Sequence, residues 1–289
     1  MNQQTQSARD FSTISPSAKW ILMMKGHTDI PFAKQAAEIV DEKFKPDMES
    51  RDLGFWGRTY HFESRYRSID QLWQDKPVSN ILELSSGFSF RGLERIRQGD
   101  VYYIDTDLPD MVTTKQALIA QLEATAPPRK GTYELQALNA LDEDRFWELV
   151  DHFPEGPVGI INEGLLMYLD NKEKEKLCGI IRDVLKKRGG YWITADIYIK
   201  IEGRGIDLAL DAEAKKFFDE HRVEENKFNS FDEAKAFFGR MGFQIEKELV
   251  PDPVQMSSFG HFIRSATPEQ LQKMKGMERV HTTWRLGVI

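Results

Sequence analysis

The sequence predicts an α/β fold: a doubly wound, mostly parallel sheet of seven strands, extended by N-terminal helices and interrupted late in the chain by a lid-like insertion. Three observations predict it. From residue 78 onward short apolar runs alternate with helical patterns, the signature of parallel strands joined by crossover helices. The run ILEL at 81–84 carries Glu83 near its end and runs into a small-residue turn, Ser85-Ser86-Gly87, and the next run, VYYID, ends in Asp105. Near the C-terminal end, the runs at 243–249 and 261–265 lie too close together for a long crossover helix. They read as a hairpin that places an antiparallel strand at the sheet edge.

The elements follow in order. Residues 15–73 read as amphipathic helices, with apolar spacing in Trp20, Leu22 and Met23 and then in Phe32, Ala36, Ile39 and Val40. Gly26 and Pro31 separate the two patterns. Strands are expected at 80–84, 101–104, 133–138, 158–161 and 191–195, with helices at 111–122, 143–150 and 172–187. Pro127-Pro128 before Arg129-Lys130 marks an exposed loop. After residue 195 the regularity breaks: 197–220, with a helix at 211–220, reads as an insertion over the carboxyl edge, and a helix at 231–239 precedes the final strand pair. The chain is read as one domain over 1–289, a helical cap at 1–76 and a Rossmann-like core at 77–289.

Composition excludes several classes. The chain has 289 residues, 40% hydrophobic and 29% charged, which suffices for a sizeable core, and its net charge of −7 offers no basic field for nucleic acid or an anionic membrane. Lys186-Lys187-Arg188 reads as a solvated helix end. The single cysteine, Cys178, rules out an internal disulfide, fits a reducing compartment and reads as a buried thiol. The polar start has no signal core, and VGIINEGLLMYL is interrupted by Asn162 and Glu163, so a soluble cytoplasmic protein is expected. The six histidines show no metal-ligand spacing, and neither GxSxG nor a Walker loop is present, so no metal site is expected.

The strand–turn–helix–strand unit at 81–105 has the layout of a nucleotide-binding βαβ unit. A small-residue turn lets a ligand approach the backbone, and an acid after the next strand can accept two hydrogen bonds from ribose hydroxyls. The absence of GxGxxG argues against a pyrophosphate dinucleotide, whereas S-adenosylmethionine needs only a close backbone and two acids. Asp105 is favoured as the ribose acid over Asp107, which instead suits the cap of the helix after Pro109. Glu163 ends a buried apolar strand and must meet a cation or donors there.

Five pieces resemble the leucine carboxyl methyltransferase family: SPSAKWILMMKG with DIPFAK, ILELSSGFSFRG, YYIDTDLPDMVTTKQ, LQALNALD and INEGLLMYL. The likeness reaches from residue 15 to about 169 and is nearest to the bacterial branch that O-methylates polyketides and small molecules; the final strand pair matches the sheet order of class I methyltransferases. The resemblance implies S-adenosylmethionine as donor and a small-molecule carboxylate or hydroxyl as acceptor. It implies that Ser85 and Gly87 form the donor turn, that Glu83 lies near the donor's ammonium, and that Asn139 and Ala140 contact adenine. Lys25 and Arg65 would face a carboxylate, of the donor or of the acceptor, and Glu163 the ammonium or sulfonium region. The alternatives are an acid capping the turn for Glu83, an Asn-stabilised turn at Asn139 and a surface ion pair for Arg65.

Two departures stand out. Ser85 occupies a position that usually carries glycine, and Ser89, two residues before Arg91, one that usually carries an acid. A carboxylate acceptor needs no base, whereas a hydroxyl does; Tyr168 is the catalytic candidate, with Asp196 and His61 as further bases, and core packing is the alternative for Tyr168. The rival functions are a nicotinamide-dependent oxidoreductase, disfavoured by the missing glycines and the final strand pair, and a non-catalytic binder of adenosyl ligands.

Overall fold

The computed structural model describes residues 15–124, 126–200 and 212–289, with side chains described from 17 and, after the gap, from 216. Three helices open the chain: α1 (Ser15–Lys25), α2 (Ala33–Val40) and α3 (Leu53–Asp75). Asp52 starts α3 by accepting the Phe55 N–H, which satisfies one orphan donor of the first turn. The core then alternates: β1 (Asn80–Leu84), α4 (Arg91–Gln98), β2 (Tyr102–Asp107), α5 (Pro109–Glu123), β3 (Thr132–Ala137), α6 (Glu143–Val150), β4 (Val158–Asn162), α7 (Asn171–Arg188) and β5 (Gly190–Tyr198). The last part contains α8 (Ala212–Glu220), α9 (Val223–Asn226), α10 (Phe231–Arg240), β6 (Phe243–Leu249), α11 (Phe259–Arg264), α12 (Pro268–Lys275) and β7 (His281–Val288).

The strands form one seven-stranded sheet in the order β3-β2-β1-β4-β5-β7-β6. The first five are parallel, and β7 runs antiparallel between β5 and β6. The mostly parallel sheet with an antiparallel strand near its edge is therefore as expected, but its seventh strand is not. Residues 261–265 lie in and just after α11 instead of forming a hairpin with β6. Phe259 and Phe262 are three residues apart, and both rings pack on Tyr60 of α3, 5.8 and 5.5 Å away. That i,i+3 spacing suits one face of a helix, whereas a strand would send the two rings to opposite faces. The seventh strand is β7, inserted between β5 and the edge strand β6 with six of its eight residues buried.

Helices cover both sheet faces. On one, Leu149, Val184, Phe237 and Phe238 of α6, α7 and α10 join Ile160 and Trp192. On the other, Ile69 and Leu72 of α3 and Ile96 of α4 pack on Ile81, Tyr103 and Ile193, with Leu22, Ala36 and Leu118 from α1, α2 and α5 alongside. Cys178 is buried within α7, and burial pushes its thiol up from the ordinary range. The regular strand continues through Tyr198, beyond the expected start of the insertion, and Ile199 then bridges to Phe228. Residues 201–211 of the expected insertion lie outside the described residues. Among the described residues no helix is long and apolar enough to cross a membrane.

Candidate active site

The carboxyl ends of β1 to β4 meet the N-terminal helices at one edge. After β1 the chain turns through two left-handed residues, Ser85 at φ 49° and Gly87 at φ 51°. The turn is tied to β2: the Ser86 N–H donates to the Thr106 carbonyl (3.0 Å), and the Gly87 N–H donates to Asp107 Oδ2 (2.7 Å). A side chain at left-handed φ costs about 1–2 kcal/mol relative to glycine, which has no Cβ to crowd the backbone. Ser85→Gly is therefore expected to stabilise the fold by about 0.5–1 kcal/mol after the added freedom of the unfolded chain is subtracted. Urea midpoints measure this; a loss of stability would mean that the Ser85 side chain contributes more than its strain costs.

Strand register separates the acids. Asp105 stands opposite Glu83 within the sheet, whereas Asp107 projects one step past the last residue of β1. Glu83 is buried, accepts the Tyr103 hydroxyl (2.6 Å) and faces the Arg91 guanidinium (3.5 Å), while burial raises its carboxyl above the usual range. Asp105 has no exposed surface; its Oδ2 meets the Lys115 ammonium at 2.6 Å and accepts the Tyr133 hydroxyl at 2.7 Å. Asp107 is half-buried, accepts from Gly87 and from the Leu108 N–H (2.7 Å), and is pushed up by burial. The acid touching the turn is thus Asp107, and the favoured Asp105 is already neutralised inside.

After β3, Asn139 is exposed and its Oδ1 accepts the Leu141 N–H (3.0 Å), an Asn-stabilised turn, with Ala140 buried behind it. Tyr168 is buried, hydrogen-bonded to Ser17, and edge-on to Phe217 of α8 and to His221. Its visible work is packing, between Phe217 of α8 and Ser17 of α1.

After β4, Glu163 lies among three cations: Lys25 Nζ at 2.7 Å, Arg65 Nη2 at 3.5 Å and Arg91 Nη2 at 3.4 Å. Burial raises the Glu163 carboxyl, but these charges outweigh it and hold the group below its ordinary value; burial lowers the Lys25 ammonium against the pull of Glu163. Arg65 is buried, so the surface ion pair weighed for it does not form; Arg67 makes that pair instead, with Asp29 (2.6 Å). Arg65 also donates to the Tyr198 hydroxyl (3.1 Å), which bonds His61 Nε2 (2.7 Å). Asp196 accepts from the Gly164, Leu165 and Leu166 N–H groups and from Asn162 Nδ2, at 2.6, 2.7, 3.1 and 2.6 Å. It therefore caps the turn after β4, and its oxygens are occupied.

Arg91, Lys115 and Tyr198 belong to this site without having been singled out. The signal for Lys115 was its place in the apolar stripe of α5, with Met111, Leu118 and Leu122. Arg91 and Arg95 likewise share the buried face of α4, and both pair with Asp70 from α3. Among the described residues no group of three or more His, Cys, Asp or Glu could hold a metal ion.

The sheet order and this edge define a class I methyltransferase fold. The chain belongs to the leucine carboxyl methyltransferase family, a family of S-adenosylmethionine-dependent enzymes, whose pattern matches residues 7–182. A DUF574 family protein from Streptomyces avermitilis MA-4680 shares the fold, with 13% identity over 94% of this chain and 97% of that one and a TM-score of 0.55. Magnesium protoporphyrin IX methyltransferase (ChlM) from Synechocystis PCC 6803, solved with bound SAH, is more distant: 11% identity, 80% and 85% coverage and a TM-score of 0.45. LepI in complex with SAH and a substrate analogue shows 12% identity, 93% and 64% coverage and a TM-score of 0.47. No curated protein matches the chain.

Proposed function

We propose that this protein transfers a methyl group to an oxygen, carboxylate or hydroxyl, of a small molecule. The observation that carries the reading is the mixed-charge cluster after β4, in which Lys25 and Arg65 face Glu163 beside the left-handed turn after β1. An amino-acid end group bearing both charges needs such a pairing, and S-adenosylmethionine has one. Lys25 and Arg65 hold its carboxylate, Glu163 its ammonium and Asp107 the ribose hydroxyls, while Asn139 and Ala140 border adenine. Ser85 and Gly87 let the backbone come close.

When bound, the donor supplies a methyl group already activated on a sulfonium. The protein's contribution is therefore alignment and exclusion of water. A carboxylate acceptor is ionised at neutral pH and needs no base. For a hydroxyl, Asp196 is occupied by four donors and Tyr168 packs against aromatic rings, while burial holds the His61 ring well below its ordinary value, which makes it a weak proton acceptor, and its Nε2 bonds the Tyr198 hydroxyl. This scarcity of bases favours an acidic acceptor. The likeness to the polyketide branch makes phenolic and carboxylic polyketides the first candidates.

The test is calorimetry with S-adenosylmethionine and S-adenosylhomocysteine, followed by labelled methyl transfer to a panel of small acids and phenols. Binding with transfer to oxygen is expected. A response only to NAD would sink the reading, transfer confined to nitrogen would contradict the acceptor class, and binding without turnover on any acceptor would favour the non-catalytic binder. Arg65→Ala removes a charged donor, a loss of roughly 1.5–3 kcal/mol, and should lower kcat/KM about 10- to 100-fold. Wild-type turnover in that variant would remove the role given to Arg65.

A further inference from the structure

We infer that Lys115 is a positioning residue for the donor, acting through Ser86; the inference rests on the donor site proposed above. Lys115 lies on α5 with no exposed surface, its ammonium 5.7 Å from the centre of the Phe90 ring. A buried ammonium needs a counter-charge and further acceptors. Asp105 supplies the charge at 2.6 Å. The second acceptor is Ser86 Oγ at 2.9 Å, the middle residue of the left-handed turn.

The second contact does more than satisfy one of the ammonium's donors. It joins α5 to the one segment of β1–α4 that must keep a costly backbone conformation. Ser85 and Gly87, on either side of Ser86, are both left-handed, and Ser85 lacks glycine's freedom. Among the described residues three hydrogen bonds tie the turn to other elements, beside the local one from the Ser89 N–H to the Ser86 carbonyl: the Ser86 N–H on the Thr106 carbonyl, the Gly87 N–H on Asp107, and the Ser86 hydroxyl held by Lys115. The first two come from β2 and act on the backbone. Among the described residues, the hydrogen bond to the turn from the side of α5 is the one Lys115 makes. Asp105 thereby gains a purpose without touching the donor: together with the Tyr133 hydroxyl it aims Lys115 at the turn.

The experiment uses the full chain and S-adenosylhomocysteine as probe. Ser86→Ala removes the hydroxyl and leaves the Lys115–Asp105 pair. The expected result is a dissociation constant about five- to tenfold higher, the same rise in donor KM, kcat within about twofold of wild type and a nearly unchanged melting temperature. Lys115→Met combined with Asp105→Asn removes both charges together and should reproduce the loss of affinity; adding Ser86→Ala to that pair should cost nothing more. Donor affinity within about twofold of wild type in Ser86→Ala overturns the inference, and this holds even if the charge-neutral variant does not fold. Failure of the wild type to bind the probe is a different result: it overturns the donor site itself, and the inference with it.

Discussion

Asp107→Ala is expected to raise the dissociation constant for S-adenosylhomocysteine by about 100-fold or more, while Asp105→Ala is expected to damage the fold. Two residues apart on β2, the acids share a face of the sheet and differ in depth. Asp107 ends the strand at the turn, where it holds the Gly87 N–H. Two hydrogen bonds from ribose to a carboxylate are each worth roughly 1.5–3 kcal/mol, so their joint loss is at least about two orders of magnitude in affinity. Asp105→Ala strands the Lys115 ammonium, which has no exposed surface. An uncompensated buried charge costs about 3–5 kcal/mol, a large share of the roughly 5–15 kcal/mol that keeps a domain folded. Urea unfolding and calorimetry on the two variants separate the effects. A stable Asp105→Ala protein that has lost the ligand, beside an Asp107→Ala protein that binds normally, would return the ribose to Asp105.

The choice between these acids shows where reading the sequence stops. DTD after an apolar run indicates an acid at a strand end, but which one reaches the edge depends on where β1 ends beside it, a relation between strands. β1, β4 and β5 were legible because parallel strands buried on both faces are nearly continuous apolar runs. The seventh, HTTWRLGV, hides its burial behind polar letters. Thr282 and Thr283 are buried, and Arg285 is buried because Asp75 and Glu246 meet it from α3 and β6. No local pattern contains those partners. The charged helix RGLERIRQ was passed over for the same reason, since Arg91 and Arg95 need Asp70 to sit inside.

The site shows the same division. Lys25, Arg65 and Glu163 lie far apart in the chain, and the motifs carrying them could be noticed one at a time, but their meeting at 2.7 and 3.5 Å is made by α1 and α3 packing over the end of β4. For Tyr168 the sequence leaves two readings open, a catalytic base and core packing. The structure places it among aromatic rings, Phe217 and His221.

Stability is expected to fall steeply as pH drops from 7 to 5, before most carboxylates titrate. Histidines that burial holds neutral are responsible, foremost His281 and His61, with His27 lowered as well. Burial brings the His281 ring down to about 3, and its Nε2–H donates to the Ala195 carbonyl (2.7 Å), which suits the neutral ring. Burial also holds His61 well below its ordinary value, with His281 and Arg65 adding to the effect. In the unfolded chain both rings return to about 6.5. Below that pH the unfolded state takes up protons that the folded state refuses, so unfolding gains free energy as pH falls, until the folded rings themselves titrate near 3 for His281. Between pH 7 and 5 the His281 ring removes about 2 kcal/mol of stability, and His61 acts in the same direction. Glu163, held low by its three cations, loses its contribution only at still lower pH, as its carboxyl is protonated. His281→Gln keeps an N–H donor for the Ala195 carbonyl but cannot be protonated, so it should remove about 2 kcal/mol of the decline. The measurement is the unfolding free energy in urea at pH 7, 6 and 5 for both proteins. A wild type equally stable at pH 7 and pH 5 would show that neither ring is held neutral by the fold.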